Sequence, residues 1–159
     1  MTQQPLPSDE ERAMLRDSVR GFLARHWPAA TAVAWAREPG RVQAAWQQLA
    51  GQGLTALGSD PGEGGLREIL IVAEELGRAA CPVPVHHVAL LNLAARHAPE
   101  ADSRVVLALG AFDADPGAGS ATFADGRVDG ELAFIECAGS ATHLAVAVTT
   151  PDGPALAWI

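Results

Sequence analysis

The chain has 159 residues, 48% of them hydrophobic and 19% charged, with a formal net charge of −8, a globular composition that is long enough to bury a sizeable core and is neither disordered nor membranous. No apolar run reaches bilayer length, and the acidic opening MTQQPLPSDEE lacks the basic and then apolar pattern of a secretory leader, so a cytoplasmic location is expected and a membrane is not. The eleven cationic residues, all Arg, are scattered along the sequence and make no basic face for a polyanion, which argues against nucleic acid as a partner.

The first hundred residues read as helices. Ser8 with Glu11 three positions later forms a capping box, and Leu15, Val19, Phe22 and Leu23 recur at helical spacing up to Trp27-Pro28, which predicts a helix over about 9–26. Val42, Ala45, Trp46 and Leu49 mark a second, short helix that ends at Gly51 and Gly53. The segment LTALGSDPGEGG is rich in turn residues and is expected to be a loop with an exposed backbone. Leu66, Ile69, Leu70, Ala73 and Leu76 give a third amphipathic helix, which cannot pass through CPVP at 81–84; a fourth is expected from Val85 to about His97.

Beyond Ser103 the period changes. RVVLALG, VDGELAFIE, THLAVAVTT and PALAWI are β-rich runs separated by Gly, Asp and Pro at strand-and-turn spacing. The expected fold class is therefore α+β: an all-helical unit over 1–102, then an antiparallel β unit over 103–159. Its apolar last run, ending on Trp158-Ile159, makes the sheet look incomplete.

These segments, in this order, resemble acyl-CoA dehydrogenases. The similarity rests on WQQLAGQGLTALGSDPGEGG, EELGRAACPVPV and GELAFIECAGSATHLAVAV, and it extends over nearly the whole chain as the helical N-terminal domain and the first part of the middle β domain. The resemblance implies an FAD-dependent enzyme that introduces an α,β double bond into an acyl-CoA thioester of a fatty acid or steroid side chain. It further implies a homo- or hetero-oligomer and an electron-transfer acceptor as partners. The catalytic carboxylate would lie beyond Ile159, so no catalytic residue is nominated within 1–159. An alternative is a non-catalytic, truncated homologue that serves as a partner subunit.

By the same resemblance the expected cofactor-binding residues are Leu109 and Gly110, at the end of the first β run, and Phe134, Ile135 and Glu136. Glu136 stands where the family often has Thr, and a carboxylate there would oppose negative charge on a reduced flavin. Asp115-Pro116-Gly117-Ala118-Gly119-Ser120 has a phosphate-loop composition but precedes a strand rather than a helix, and is expected to be a hairpin connection. His86-His87 project in different directions from a helix and suit one metal poorly; no metal site is expected. Glu74-Glu75 are expected on a solvated helix flank, Cys81 and Cys137 as isolated thiols, and Trp27, Trp35, Trp46 and Trp158 as packing residues.

Overall fold

In the computed structural model the described residues are 7–60, 62, 64–95, 103–108, 121–132 and 135–159. They divide into two compact units, Met1–Asp102 and Ser103–Ile159.

The first unit is helical. Helix α1, Asp9–His26, begins at the predicted cap: Ser8 Oγ accepts from Glu11 N–H, and the Glu11 carboxylate accepts from Ser8 N–H at 2.6 Å. Its apolar face buries Val19, Phe22 and Leu23, and Trp27 closes it ahead of Pro28. A short helix that apolar spacing alone does not reveal, α2 (Ala29–Trp35), follows at once, with an N-cap at Pro28 that contributes no side-chain bond. Its place is fixed by tertiary contacts, since Trp35 meets Trp27 edge-on at 5.7 Å and the Arg41 guanidinium lies 4.5 Å above the Trp35 ring. Helix α3, Pro39–Gly51, starts on a proline at its first turn, where the missing N–H costs nothing, and buries Val42, Ala45, Trp46 and Leu49.

Helix α4, Leu66–Arg78, packs on α1 and on α5, Val85–Ala95. Between α4 and α5 the chain leaves the helix through Ala80, a non-glycine residue with φ 49°, while Cys81 N–H reaches back to Leu76 O at 2.9 Å. This is a Schellman-type ending in a position that glycine usually takes. The LTALGSDPGEGG segment departs from the expected exposed loop: Leu54–Ala56 form a 3-10 turn, and Leu54, Leu57 and Gly58 are buried.

Among the described residues the second unit is a sheet of five strands: β1 (Val105–Ala108), β2 (Ala121–Ala124), β3 (Arg127–Gly130), β4 (His143–Thr150) and β5 (Gly153–Trp158). The α+β order is as expected, with a sheet that is mixed rather than antiparallel throughout. Its two hairpins are antiparallel, β2 with β3 and β4 with β5. The first turns at Asp125-Gly126, both at positive φ, the geometry that matches strand twist in a two-residue hairpin. Strand β4 is central, with β5 along one edge, while β1 at residues 143–146 and β2 at 148–149 share the other edge in parallel. Among the described residues the expected strand VDGELAFIE is paired as far as Gly130, and Ala138–Ser140 form a 3-10 turn before β4.

Strand alternation puts Leu144, Val146 and Val148 on one face, where they pack with Ala108, Ala121, Val128, Leu132, Ile135 and Ala157. On the opposite face Ala145 is buried while its cross-strand partner Trp158 is 47% exposed, so of the expected core or interdomain packing roles Trp158 does not fill the first within this unit.

Candidate functional site

Of the residues expected to bind a cofactor, Leu109, Gly110 and Phe134 lie outside the described residues, as does the Asp115–Ser120 segment. The other two are adjacent in the connection between β3 and β4. Ile135 is half-buried against the sheet core, and Glu136 is exposed in a turn rather than on a strand.

That turn is held firmly. Cys137 adopts φ 59°, Ser140 Oγ donates to Cys137 O at 2.9 Å, and the Arg104 Nε donates to Ser140 O. Arg104 N–H also donates to Thr142 Oγ1 at 2.9 Å, which fastens the connection to the start of β1. Burial pushes the half-buried Cys137 thiol up to about 11, with the Glu136 carboxylate adding to the shift, so it is a poor nucleophile at neutral pH. As a place for a flavin edge, this stretch has an apolar residue that can pack and a rigid main chain. Its one described charged side chain, Glu136, is a carboxylate and not a donor. The residues fit apolar packing and main-chain recognition, and they do not fit charge stabilisation of a reduced ring.

The helical unit holds a second feature, a cleft of about 460 Å3 lined by the 58–60 and 64–68 segments, with Pro7 and Arg12 from the α1 end and Leu93 from α5. Its volume falls in the range of small-molecule sites. The N-terminus of α4, which opens onto the cleft, is already occupied. Glu68 is the third residue of the helix, and its carboxylate accepts from Gly65 N–H at 2.8 Å and from Arg12 Nε at 2.9 Å. Burial would raise the Glu68 carboxyl, but the Gly65 N–H and Arg12 outweigh it and hold it below the ordinary carboxylate range. The Glu68 carboxylate thus takes the place at the N-terminus of α4 where an anion would otherwise sit.

Above the cleft α1 and α4 are joined by a ladder of ion pairs. Arg12, Arg16 and Arg20, spaced four apart, face Glu68, Glu74 and Glu75. Glu75 corrects the expectation of a solvated flank: its side chain is 1% exposed, because the Arg16 and Arg20 guanidinium groups from α1, with Arg78 on α4, take the place of water. The signal for this in the sequence was the basic i, i+4, i+8 stripe on α1, the partner of an acidic face elsewhere. His86 and His87 meet edge-to-face at 4.2 Å, with His87 buried. Neither Cys81 nor Cys137 forms a disulfide among the described residues. Among the described residues no helix is long and apolar enough to cross a membrane.

Comparison with known proteins gives this arrangement a family. The profile of the acyl-CoA dehydrogenase N-terminal domain matches residues 9–107. The acyl-CoA dehydrogenase IpdE2 of Mycobacterium tuberculosis is 34% identical over 149 residues, covering 85% of this chain and 44% of that protein. Among solved structures, a variant of the Tcur3481-Tcur3483 steroid ACAD superposes with a TM-score of 0.74 at 27% identity, over 94% of this chain and 48% of that one. The ChsE4-ChsE5 complex from Mycobacterium tuberculosis shares the fold, with a TM-score of 0.68 at 17% identity over 98% and 48% of the two chains. The chain thus spans about half the length of these relatives. Since the domain profile matches more than half of its residues, the chain belongs to the acyl-CoA dehydrogenase family.

Proposed function

We propose that this chain is the N-terminal portion of an FAD-dependent acyl-CoA dehydrogenase that desaturates the α,β bond of an acyl-CoA thioester, with a steroid-derived acyl group as substrate class. Residues 1–102 serve as its helical N-terminal domain and 103–159 as the first part of its middle β domain. The observation that carries the reading is the likeness to a steroid ACAD along 94% of the chain, with agreement in both fold and sequence.

Bound FAD would supply the redox chemistry by accepting a hydride from the β-carbon. The role of this chain is to shape one side of that site: Leu109, Gly110, Phe134, Ile135 and Glu136 are the residues that would hold the flavin edge, with Ile135 offering an apolar side chain to pack on it. The catalytic carboxylate and the contacts to an electron-transfer acceptor belong to other parts of the assembly, which is a homo- or hetero-oligomer. A second reading, a non-catalytic partner subunit, is supported by the likeness to a chain of the Tcur3481-Tcur3483 steroid ACAD, whose name pairs two proteins.

The test is to purify the chain alone and after co-expression with a longer acyl-CoA dehydrogenase subunit from the same genome. Flavin content and dye reduction are then measured with steroid-side-chain and straight-chain acyl-CoA. Flavin and activity that depend on this chain support the enzyme. A stable complex whose flavin and activity do not change when this chain is present supports the partner subunit. No flavin, no activity and no complex would overturn both.

A further inference from the structure

We propose that Asn92 is a positioning residue that latches the wall of the cleft, segment Thr55–Asp60, onto α5. Asn92 is wholly buried, and its amide nitrogen donates both hydrogens into that wall, to Thr55 O at 2.8 Å and to Leu57 O at 3.0 Å. Its Oδ1 is buried without a hydrogen-bond partner among the described residues, so the side chain works as a double donor to two carbonyls of the wall.

The next residue of the wall completes the latch. Gly58 has φ 81°, and a Cβ there would come within 2.6 Å of Ala89 O and 3.1 Å of Leu93 N. The wall therefore lies directly against the backbone of α5, at a distance that only glycine permits. Ser59 Oγ donates to Ala56 O at 2.7 Å and tightens the same turn. Gly58, Ser59 and Asp60 then line the cleft on one side, and Leu93, next to Asn92, lines it too. A segment whose composition reads as an exposed loop is held against α5 by the Asn92 amide and the close approach of Gly58.

Asn92 as latch and Asn92 as mere filler of the core predict different behaviour in two variants. Asn92→Asp keeps the shape but at neutral pH aims a carboxylate at two carbonyl oxygens. When that carboxyl is protonated it has one O–H to donate, so half of the latch returns. Burial raises its pKa and brings the change into an accessible range. Asn92→Leu removes both donors and adds no charge.

The readout is amide hydrogen exchange in the full chain at about pH 5 and about pH 8, each corrected for intrinsic rates and compared with wild type at the same pH. The reporters are the Ala56 and Ser59 N–H groups, which bond to Gly53 O and Ala56 O. At the higher pH, Asn92→Asp is expected to exchange at these positions roughly tenfold or more faster than wild type while α4 stays protected. Acidification should return much of the protection. Asn92→Leu should open the same segment independently of pH, and Gly58→Ala should do so through its clash with Ala89 O. Arg12, Asp60, Arg67 and Glu68 around the cleft, and His86 and His87 on α5, are common to all these proteins, so differences from wild type isolate the introduced carboxyl. Wild-type protection of the reporters in Asn92→Asp, a loss of protection equal across α4 and α5, or no response to pH would overturn the proposal. If Asn92→Asp does not fold at the higher pH, Asn92→Leu decides: local opening supports the latch, and wild-type protection overturns it.

Discussion

Arg20 grips Glu75 with both ends of its guanidinium, Nε to Oε2 and Nη2 to Oε1, each at 2.9 Å, although the two residues lie on different helices. A carboxylate with 1% of its side chain exposed is tolerable only because it is paired, and removing the pairing leaves a buried charge without compensation. Glu75→Ala is expected to destabilise the helical unit by about 2 kcal/mol, the loss of charged hydrogen bonds at a buried site. Glu75→Leu should recover part of this by restoring apolar volume. Arg20→Ala should cost more than Arg78→Ala, since Arg78 approaches Glu75 only at 3.7 Å. Chemical denaturation of the four variants checks the order; equal losses for Arg20→Ala and Arg78→Ala would show that the bidentate grip is not what matters.

The same ladder makes stability depend on pH in one direction. The Arg20 bond leads in holding Glu75 below its ordinary value of 4.5. Arg78 and then Arg16 bring Glu74 down to about 2. Carboxyls depressed in the folded state stabilise it wherever they are ionised in both states, and the benefit is lost as pH falls from the unfolded value through the folded one. The melting temperature of the helical unit should therefore be insensitive to these groups from neutral pH to about 5 and should fall between about 4.5 and about 2. Glu75→Gln, which has no proton to gain, should show a shallower decline, and a decline as steep as wild type would assign acid sensitivity to other carboxyls.

How much of this could be read from the sequence depends on how far apart the interacting residues are. The Ser8–Glu11 cap and the Trp27-Pro28 stop lie within α1 itself, and its limits were legible to the residue. Strand β4 was equally plain, because Leu144, Val146 and Val148 alternate with Ala145 and Ala147. By contrast, α2 has no side-chain cap and is placed by Trp27 and Arg41. Glu75 is buried largely by arginines 55 and 59 positions away, and the basic stripe on α1 that announces this lies far from it in the chain. Around the candidate site, the apolar character of Ile135 was visible, whereas the turn that exposes Glu136 depends on Arg104, which reaches Ser140 from the other end of the unit. The wall of the cleft was misread for the same reason: glycine signals a special backbone, but only Ala89 and Leu93 show that Gly58 serves close packing rather than exposure.

Ala80 carries φ 49° at the end of α4, and its carbonyl accepts from Trp27 Nε1 at 3.3 Å. A left-handed conformation costs an L-residue about 1–2 kcal/mol, partly offset for glycine by the larger entropy of its unfolded chain. Ala80→Gly is accordingly expected to stabilise the helical unit by about 0.5–1 kcal/mol, without disturbing a bond made by the main chain. A rise in denaturation midpoint with unchanged slope checks it; a loss of stability would mean that the Ala80 methyl packs more usefully than its backbone is strained.

Cys137 supplies a chemical probe of the connection that carries Ile135 and Glu136. Burial first, and the neighbouring Glu136 carboxylate second, raise its thiol from an ordinary 9.0 to about 11. At a fixed pH well below both values, a rise of two units lowers the thiolate fraction about a hundredfold, and alkylation follows the thiolate. Iodoacetamide labelling of Cys137 near neutral pH, followed by peptide mass spectrometry, should be slower than for a free thiol by about that factor. Glu136→Gln should speed it only modestly, because charge is the lesser cause. Arg104→Ala, which releases Ser140 O and loosens the turn, should speed labelling more, since it relieves the burial that dominates. A larger acceleration from Glu136→Gln than from Arg104→Ala would reverse the order of causes, and would mean that electrostatics rather than packing controls this part of the candidate cofactor segment.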